Sequence, residues 1–374
     1  MRTAVRPPGT PPQWCGPLVE VERYEWRTGD PGDPVAALAD LLAAHGLGGP
    51  LPSQRGDSVV VLLAGAAGCA RLADLPAGAP SPVYAVPEVA ALVLRRGHEL
   101  LPTDVGRGAV GPWTTTWSDA EHAAGVETVR AAIARGDLYQ ANVVGHRSAA
   151  HRSDPRCLAT AVAALPGATY GGVLSGDGWA VGCASPEQLV RVDTGRITTI
   201  PIKGTLPVSP GSREALLTSE KDLAEHVMIV DLQRNDLSRV ARTGTVDVER
   251  FYELVDWSGL WQAASTVAAT VEDGVTSMAV LRALLPGGSV TGAPKRAAWT
   301  LLADLEPVGR GPSMGALGLL WPGGMDLGLT IRTIGASEDR VHLWAGGGIT
   351  WGSDAEQEVA EAHAKAAPVR RALD

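Results

Sequence analysis

Four short apolar segments follow one another between residues 170 and 202: "YGGVLSG", "GWAVGCA", "QLVRVD" and "RITTIPI". Each is rich in β-branched or aromatic residues and is cut off by Gly, Asp or Pro, so none can grow into a helix. Strands joined by turns this short pair antiparallel, because a parallel return needs a crossover of a dozen residues or more. Such a meander has one face to bury and needs a second layer to cover it. It constrains the fold more than any other feature of the chain.

Around the meander, helical and strand patterns mix. "DPVAALADLLAAHG" reads as a helix and "SVVVLLAG" as a strand. "SDAEHAAGVETVRAAIARGD" is a helix with Ser118 as N-cap and Gly136 as stop, followed by a strand in "LYQANVVGHR". "SEKDLAEHVMIVDLQRNDLSRVA" opens on Ser219 with Asp222 three residues on, a capping-box spacing. "APKRAAWTLLADLE" is a helix with Pro294 in its first turn. "GALGLLW", "DLGLTIRTIGA" and "RVHLWAGGGI" read as strands, and "SDAEQEVAEAHAKAA" as a last helix capped by Ser353 and ended by Pro368. There is no internal repeat. The expectation is an α+β fold with large antiparallel sheets. Residues 1–115 form an N-terminal part without a chemical motif, and 116–374 the main body.

With 374 residues, 45% hydrophobic and 20% charged, the chain can bury a sizeable core. Its net charge of −9 argues against nucleic acid or an anionic membrane surface as partner. Cys15, Cys69, Cys157 and Cys183 stand far apart, without the spacing of a zinc site or a disulfide framework. The opening "MRTAVRPPGTPPQ" lacks a signal-peptide core, and Val59–Ala70 is too short to span a bilayer. A cytoplasmic protein is expected.

Two helices carry carboxylates at i, i+3 spacing, Asp222 with Glu225 and Glu358 with Glu361. Each pair shares a helix face, about 5–6 Å apart at Cβ. They are either solvated faces or, where the two faces converge, a site for a hard divalent cation; with carboxylates alone Mg²⁺ suits better than Zn²⁺. "PGGSVTGAPK" leads a glycine turn into a helix start where N–H groups and Lys295 favour an anion, though its spacing is not that of a phosphate-binding P-loop. Gly346–Gly348 let a ligand approach a strand end closely. Arg332 interrupts an apolar strand, which a carboxylate partner would explain. Ordinary turns and internal ion pairs account for each of these equally. Lys203 stands between the apolar "TTIPI" and a Gly-Thr turn, either as an ion-paired lysine or as an amine kept neutral for nucleophilic work.

Taken in order, "GDLYQANV", "ASPEQL", "PIKGT", "EKDLAEHVMIVDLQRNDLSRV", "PGGSVTGAPK", "IRT", "AGGGI" and "SDAEQEVAEAHAK" resemble the chorismate-utilising enzymes over roughly residues 118 to 367. The family comprises anthranilate, aminodeoxychorismate, isochorismate and salicylate synthases. The resemblance implies one large α+β unit with two antiparallel sheets packed as a sandwich and helices outside. It implies Mg²⁺ on Glu225 and Glu361, with Asp222 and Glu358 close by. Substrate carboxylates would meet the backbone of Gly347 and Gly348 and the Arg332 guanidinium, and Thr291, Lys295, Thr205 and Gln262 would shape the site. Gln140 occupies the place of the water-activating lysine of the isochorismate and salicylate synthases, which disfavours water addition. Lysine in "PIKGT", where anthranilate synthases have alanine, marks aminodeoxychorismate synthase, the enzyme that feeds p-aminobenzoate to folate or to a secondary metabolite such as an antibiotic. The implied chemistry is attack by Lys203 on C2 of chorismate, with Glu187 as general acid to the departing C4 hydroxyl, then entry of ammonia at C4. No nucleophile elbow surrounds any cysteine, so ammonia would come from a separate glutaminase subunit. Gln262 replaces a usual histidine and Val208 a common arginine. These departures keep open another chorismate-aminating enzyme, of the anthranilate or 2-amino-2-deoxyisochorismate synthase kind, or a weakly active chorismate-binding homologue.

Overall fold

The computed structural model describes residues 18–96, 108–257 and 260–374. Cys15 lies outside them, as does the side chain of Thr205. In chain order the strands are β1 (Leu18–Trp26), β2 (Ser58–Ala64), β3 (Val89–Arg96), β4 (Thr114–Thr115), β5 (Gln140–Ala150), β6 (Gly172–Gly176), β7 (Trp179–Cys183), β8 (Gln188–Asp193) and β9 (Arg196–Ile200). They continue as β10 (Ile202–Pro207), β11 (Asp247–Trp257), β12 (Leu260–Thr270), β13 (Gly292–Ala293), β14 (Ala316–Trp321), β15 (Gly324–Leu329), β16 (Thr333–Ala336) and β17 (Arg340–Ile349). The helices are α1 (Pro34–Ala44), α2 (Ala66–Leu72), α3 (Asp119–Ala134), α4 (Pro155–Ala163) and α5 (Ser212–Leu217). After them come α6 (Glu220–Ser238), α7 (Ser277–Leu284), α8 (Gly288–Thr291), α9 (Lys295–Leu305) and α10 (Ala355–Arg371).

The strands form two antiparallel sheets. The ten-stranded one runs β1-β3-β2-β14-β15-β8-β9-β12-β10, with β11 paired to β12; the seven-stranded one runs β13-β5-β17-β16-β7-β6, with β4 paired to β5. The expected meander is therefore split between layers. β6 and β7 form a hairpin in one sheet, turning at Gly178 with φ 70°, and β8 and β9 form one in the other, turning at Thr194 and Gly195 with φ 50° and 80°. The main apolar cluster spans both sheets, uniting Leu62, Leu92, Leu317 and Leu327 of the first with Val144, Leu174 and Trp344 of the second. Helices α3, α9, α4 and α10 cover the outer face of the second sheet through two smaller apolar clusters.

Several local expectations need correction. "DLGLTIRTIGA" is not one strand, because β15 and β16 belong to different sheets and Arg332 stands between them with φ 50°. Pro368 does not end the last helix. α10 runs on to Arg371 because Val369 and Leu373, both fully buried, anchor its final turns in the core; that packing outweighs the hydrogen bond proline cannot donate. Its N-cap is Asp354, whose carboxylate accepts from Gln357 N–H, one residue beyond Ser353. Pro294 is the extended N-cap of α9, just outside the first turn. At α6 the Ser219 hydroxyl accepts from Asp222 N–H as expected.

Candidate active site

Strand β10 bulges between Lys203 and Thr205 where it pairs with β12. Gly204 makes this possible, with φ 67° and a Cβ position only 2.6 Å from Leu216 Cδ1. The bulge aims the half-buried Lys203 across the sandwich toward β17. A Cβ on Gly348 would lie 3.1 Å from Lys203 Nζ and 2.1 Å from Gln140 Nε2, so the bare backbone there faces both groups. Gln140 is fully buried, and among the described residues neither its Oε1 nor its Nε2 has a hydrogen-bond partner. A buried amide with both ends unmet is costly unless something else completes it.

Glu187 is 5% exposed and accepts a hydrogen bond from Ser289 Oγ at 2.8 Å. Burial pushes its carboxyl up to about 7, against the Ser289 hydrogen bond and the Lys203 charge, which both hold it down. It thus exchanges a proton near neutrality, as a general acid must. His226, near enough to feel the Lys203 charge, is fully buried with Nε2 2.6 Å from Ser265 Oγ. Ser265 Oγ accepts from Tyr252 N–H at 2.9 Å, which leaves its own hydrogen for the imidazole. Burial, with the Lys203 charge, pushes His226 down to about 4, so it is neutral at working pH.

The carboxylate pairs lie on either side of this region. A Cβ on Gly347 would be 2.8 Å from Glu358 Oε2 and 3.9 Å from Glu361 Oε1, so α10 presents both carboxylates to one bare stretch of β17. Glu358 Oε1 accepts from Ser353 Oγ at 2.7 Å, and Glu361 pairs with Lys365 at 2.6 Å. On α6, Asp222 Oδ1 lies 3.5 Å from the Cβ position of Gly204, beside the lysine turn, and Glu225 is half-buried on the same helix. Among the described residues no three His, Cys, Asp or Glu side chains are gathered into a ready metal cluster. The donors themselves are hard oxygens beside backbone without side chains, a set that fits Mg²⁺.

Arg332 is half-buried with no ion pair or side-chain hydrogen bond among the described residues, and burial lowers its pKa. Thr291 is fully buried and donates to Gly287 O at 2.9 Å. Lys295 is not a free cation. Its Nζ donates to Asp236 at 2.8 Å and to Leu284 O at 3.3 Å, tying α9 to α6. Gln262 is buried on β12 opposite Thr205 of β10, and Val208 is exposed. Ser289, His226 and Ser265 are not singled out by sequence reasoning. Ser289 and His226 stand in stretches that carry the resemblance, but no spacing says that a serine reaches a glutamate 102 residues earlier.

The sequence profile of chorismate binding enzymes matches residues 80–371. The chain belongs to the chorismate binding enzyme family. Among curated proteins it is 34% identical over 267 residues to aminodeoxychorismate synthase component 1 of Salmonella typhimurium, covering 70% of this chain and 59% of that one. It is 36% identical over 267 residues to anthranilate synthase component 1 of Thermus thermophilus, covering 69% and 58%. The chain thus spans under two thirds of the length of both relatives. Of solved structures, anthranilate synthase component I from Streptococcus pneumoniae shares the fold with TM-score 0.79 and 23% identity, over 95% of this chain and 92% of that one. This chorismate binding enzyme has, among the described residues, no helix long and apolar enough to cross a membrane.

Proposed function

We propose that the chain converts chorismate and ammonia to 4-amino-4-deoxychorismate and water, as the synthase component that works with a separate glutaminase. The observation that carries the proposal is Lys203, half-buried on a bulge and facing Gln140 and the bare backbone of Gly348, with the charge of Lys203 felt by the raised carboxyl of Glu187. The Lys203 amine, once neutral, attacks C2 of the ring. Both ring double bonds shift, C1=C2 to C6=C1 and C5=C6 to C4=C5, the C4–O bond breaks, and Glu187 gives its proton to the departing hydroxyl, which leaves as water. Ammonia then bonds to C4, both double bonds return to their first positions, the C2–N bond to Lys203 breaks with the amine leaving neutral, and a proton of the new ammonium returns to Glu187. Arg332 serves as clamp for one substrate carboxylate, since its half-buried guanidinium lacks an anion of its own. The Gln140 amide completes its hydrogen bonds on the bound ligand, and having no basic pKa it does not activate water. Glu225 and Glu361, with Asp222 and Glu358 beside them, would hold Mg²⁺, which supplies a positive charge for the ring carboxylate when bound.

A second reading, an enzyme aminating another ring position, is favoured by Gln262: an amide is buried where related enzymes have histidine, so proton transfer at that point differs. The similarity to anthranilate synthases keeps it in view. The test is incubation with chorismate, Mg²⁺ and ammonium, with the product identified by mass and NMR. Amination para to the carboxylate-bearing carbon is expected. An ortho-aminated product transfers the assignment to the second reading, and unchanged chorismate removes both. Glu361→Gln should abolish the Mg²⁺-dependent turnover, and undiminished turnover would remove that residue from the metal site.

A further inference from the structure

Along β5 the residues Ala141, Val143, Gly145, Arg147 and Ala149 share one face, since side chains alternate along a strand. Ala141 and Val143 pack into the apolar cluster under α3 and α9, and Ala149 into the one under α4 and α10. Gly145 and Arg147 lie between these two stretches along the strand, with Trp117 of the first cluster packed against Gly145. Arg147 is 4% exposed, it has no ion pair among the described residues, and its Nε and Nη1 are buried without hydrogen-bond partners. Its cross-strand neighbours are Leu343 on β17 and Thr115 on β4, neither of them anionic.

Other unmet donors stand on the neighbouring segments. Arg370, in the last turn of α10, is near enough for its charge to lower the pKa of Arg147, and its own Nε is buried without a partner. Trp113 and Trp117 stand two residues to either side of Thr115, and each has a buried, unpartnered indole N–H. At Gly145 the strand is closed over instead: a Cβ there would stand 3.2 Å from His122 Nδ1 and 3.5 Å from Trp117 Nε1, so the two stacked rings cover the backbone next to Arg147. The carboxylate that Arg147 does sense, Asp119, is 69% exposed and hydrogen-bonded to His363 at 2.8 Å. Water could satisfy the N–H groups, but it would leave two neighbouring positive charges uncompensated in a buried seam.

We propose that the buried seam between β4, β5 and α10 is an anion site that takes one small oxyanion, a phosphate or a carboxylate, on Arg147 and Arg370. It lies on the opposite face of the sheet from Lys203. Because β5 carries Gln140 and α10 carries Glu358 and Glu361, an anion here braces from behind the two elements that frame the candidate active site.

The test is calorimetric titration and thermal unfolding of the full chain with phosphate, sulfate or acetate, at ionic strength held constant with sodium chloride. One oxyanion per chain should bind and raise Tm, and the order of the three tells tetrahedral from planar anions. Arg147→Met should lose the effect and, in oxyanion-free buffer, unfold at or above the parental temperature, because an uncompensated buried charge is gone. Arg370→Gln should weaken binding roughly tenfold, a charge-assisted hydrogen bond's worth. Arg332→Leu must retain the effect, which separates this seam from the active site and from the functional proposal. Failure of all three anions to bind overturns the inference, as does equal binding by the parent and Arg370→Gln.

Discussion

Removing the Ser289 hydroxyl should move the pH profile of the reaction in a direction the structure dictates. Ser289 Oγ donates to Glu187 Oε1 at 2.8 Å and favours the ionised carboxylate; burial opposes it, and the balance stands at about 7. A hydrogen bond to a charged group contributes about 1.5–3 kcal/mol, part of it kept when the carboxyl is protonated, and 1.36 kcal/mol is one pKa unit. Ser289→Ala should therefore raise the Glu187 pKa by about one unit. If Glu187 is the general acid, kcat declines as it ionises. The alkaline limb should then have its midpoint near 7 in the parent and near about 8 in the variant. At pH 8 roughly a tenth of the parent's Glu187 is protonated, against roughly half in the variant, so the variant keeps about fivefold more of its own plateau rate. The assay is initial rate from pH 5.5 to 9 (roughly the span over which a carboxyl near neutrality titrates), with the free-base ammonia concentration held constant. Carboxyl ¹³C NMR of labelled glutamate gives the same pKa independently of turnover. A midpoint that stays put, or moves to lower pH, would rule out a Glu187 acid held down by Ser289.

Two further outcomes follow from burial. In Gly348→Ala the new methyl would stand 2.1 Å from Gln140 Nε2 and 3.1 Å from Lys203 Nζ, so the buried amide must shift. Turnover should fall more than about tenfold while stability drops by roughly 1–3 kcal/mol, read from urea unfolding beside kinetics. Glu88 is buried, and burial raises its carboxyl from 4.5 to about 7. The folded state therefore holds that proton more tightly, and its contribution is complete below pH 4.5 and lost as pH rises through 7. The parent should be less stable at pH 8 than at pH 5, and Glu88→Gln should remove about 3 kcal/mol of that difference. An unchanged pH dependence would contradict the assignment.

The amphipathic and alternating stretches were legible because each depends on its own residues. α3 begins at Ser118 with both hydrogen bonds of a capping box and ends before Gly136 with φ 82°. Two features were not, since long-range packing decides them. Nothing within "DLGLTIRTIGA" says that the chain changes sheets at Arg332, and nothing near Pro368 says that Val369 and Leu373 hold α10 in place beyond it. At the site, motif residues such as Lys203 and Gln140 could be named from sequence, and the structure brings those two to one bare glycine. The Ser289–Glu187 hydrogen bond and the His226–Ser265 pair join distant segments, and so required three dimensions.

The proposed reaction turns on a covalent bond between Lys203 and the substrate. The direct measurement is intact-protein mass after mixing with chorismate and Mg²⁺ in the absence of ammonia, with peptide mapping of any modified species. A gain equal to chorismate less one water is expected, located on Lys203, discharged by added ammonium and missing in Lys203→Ala. Full amination activity in Lys203→Ala, or an unmodified parent that still turns over when ammonium is supplied, would contradict that bond.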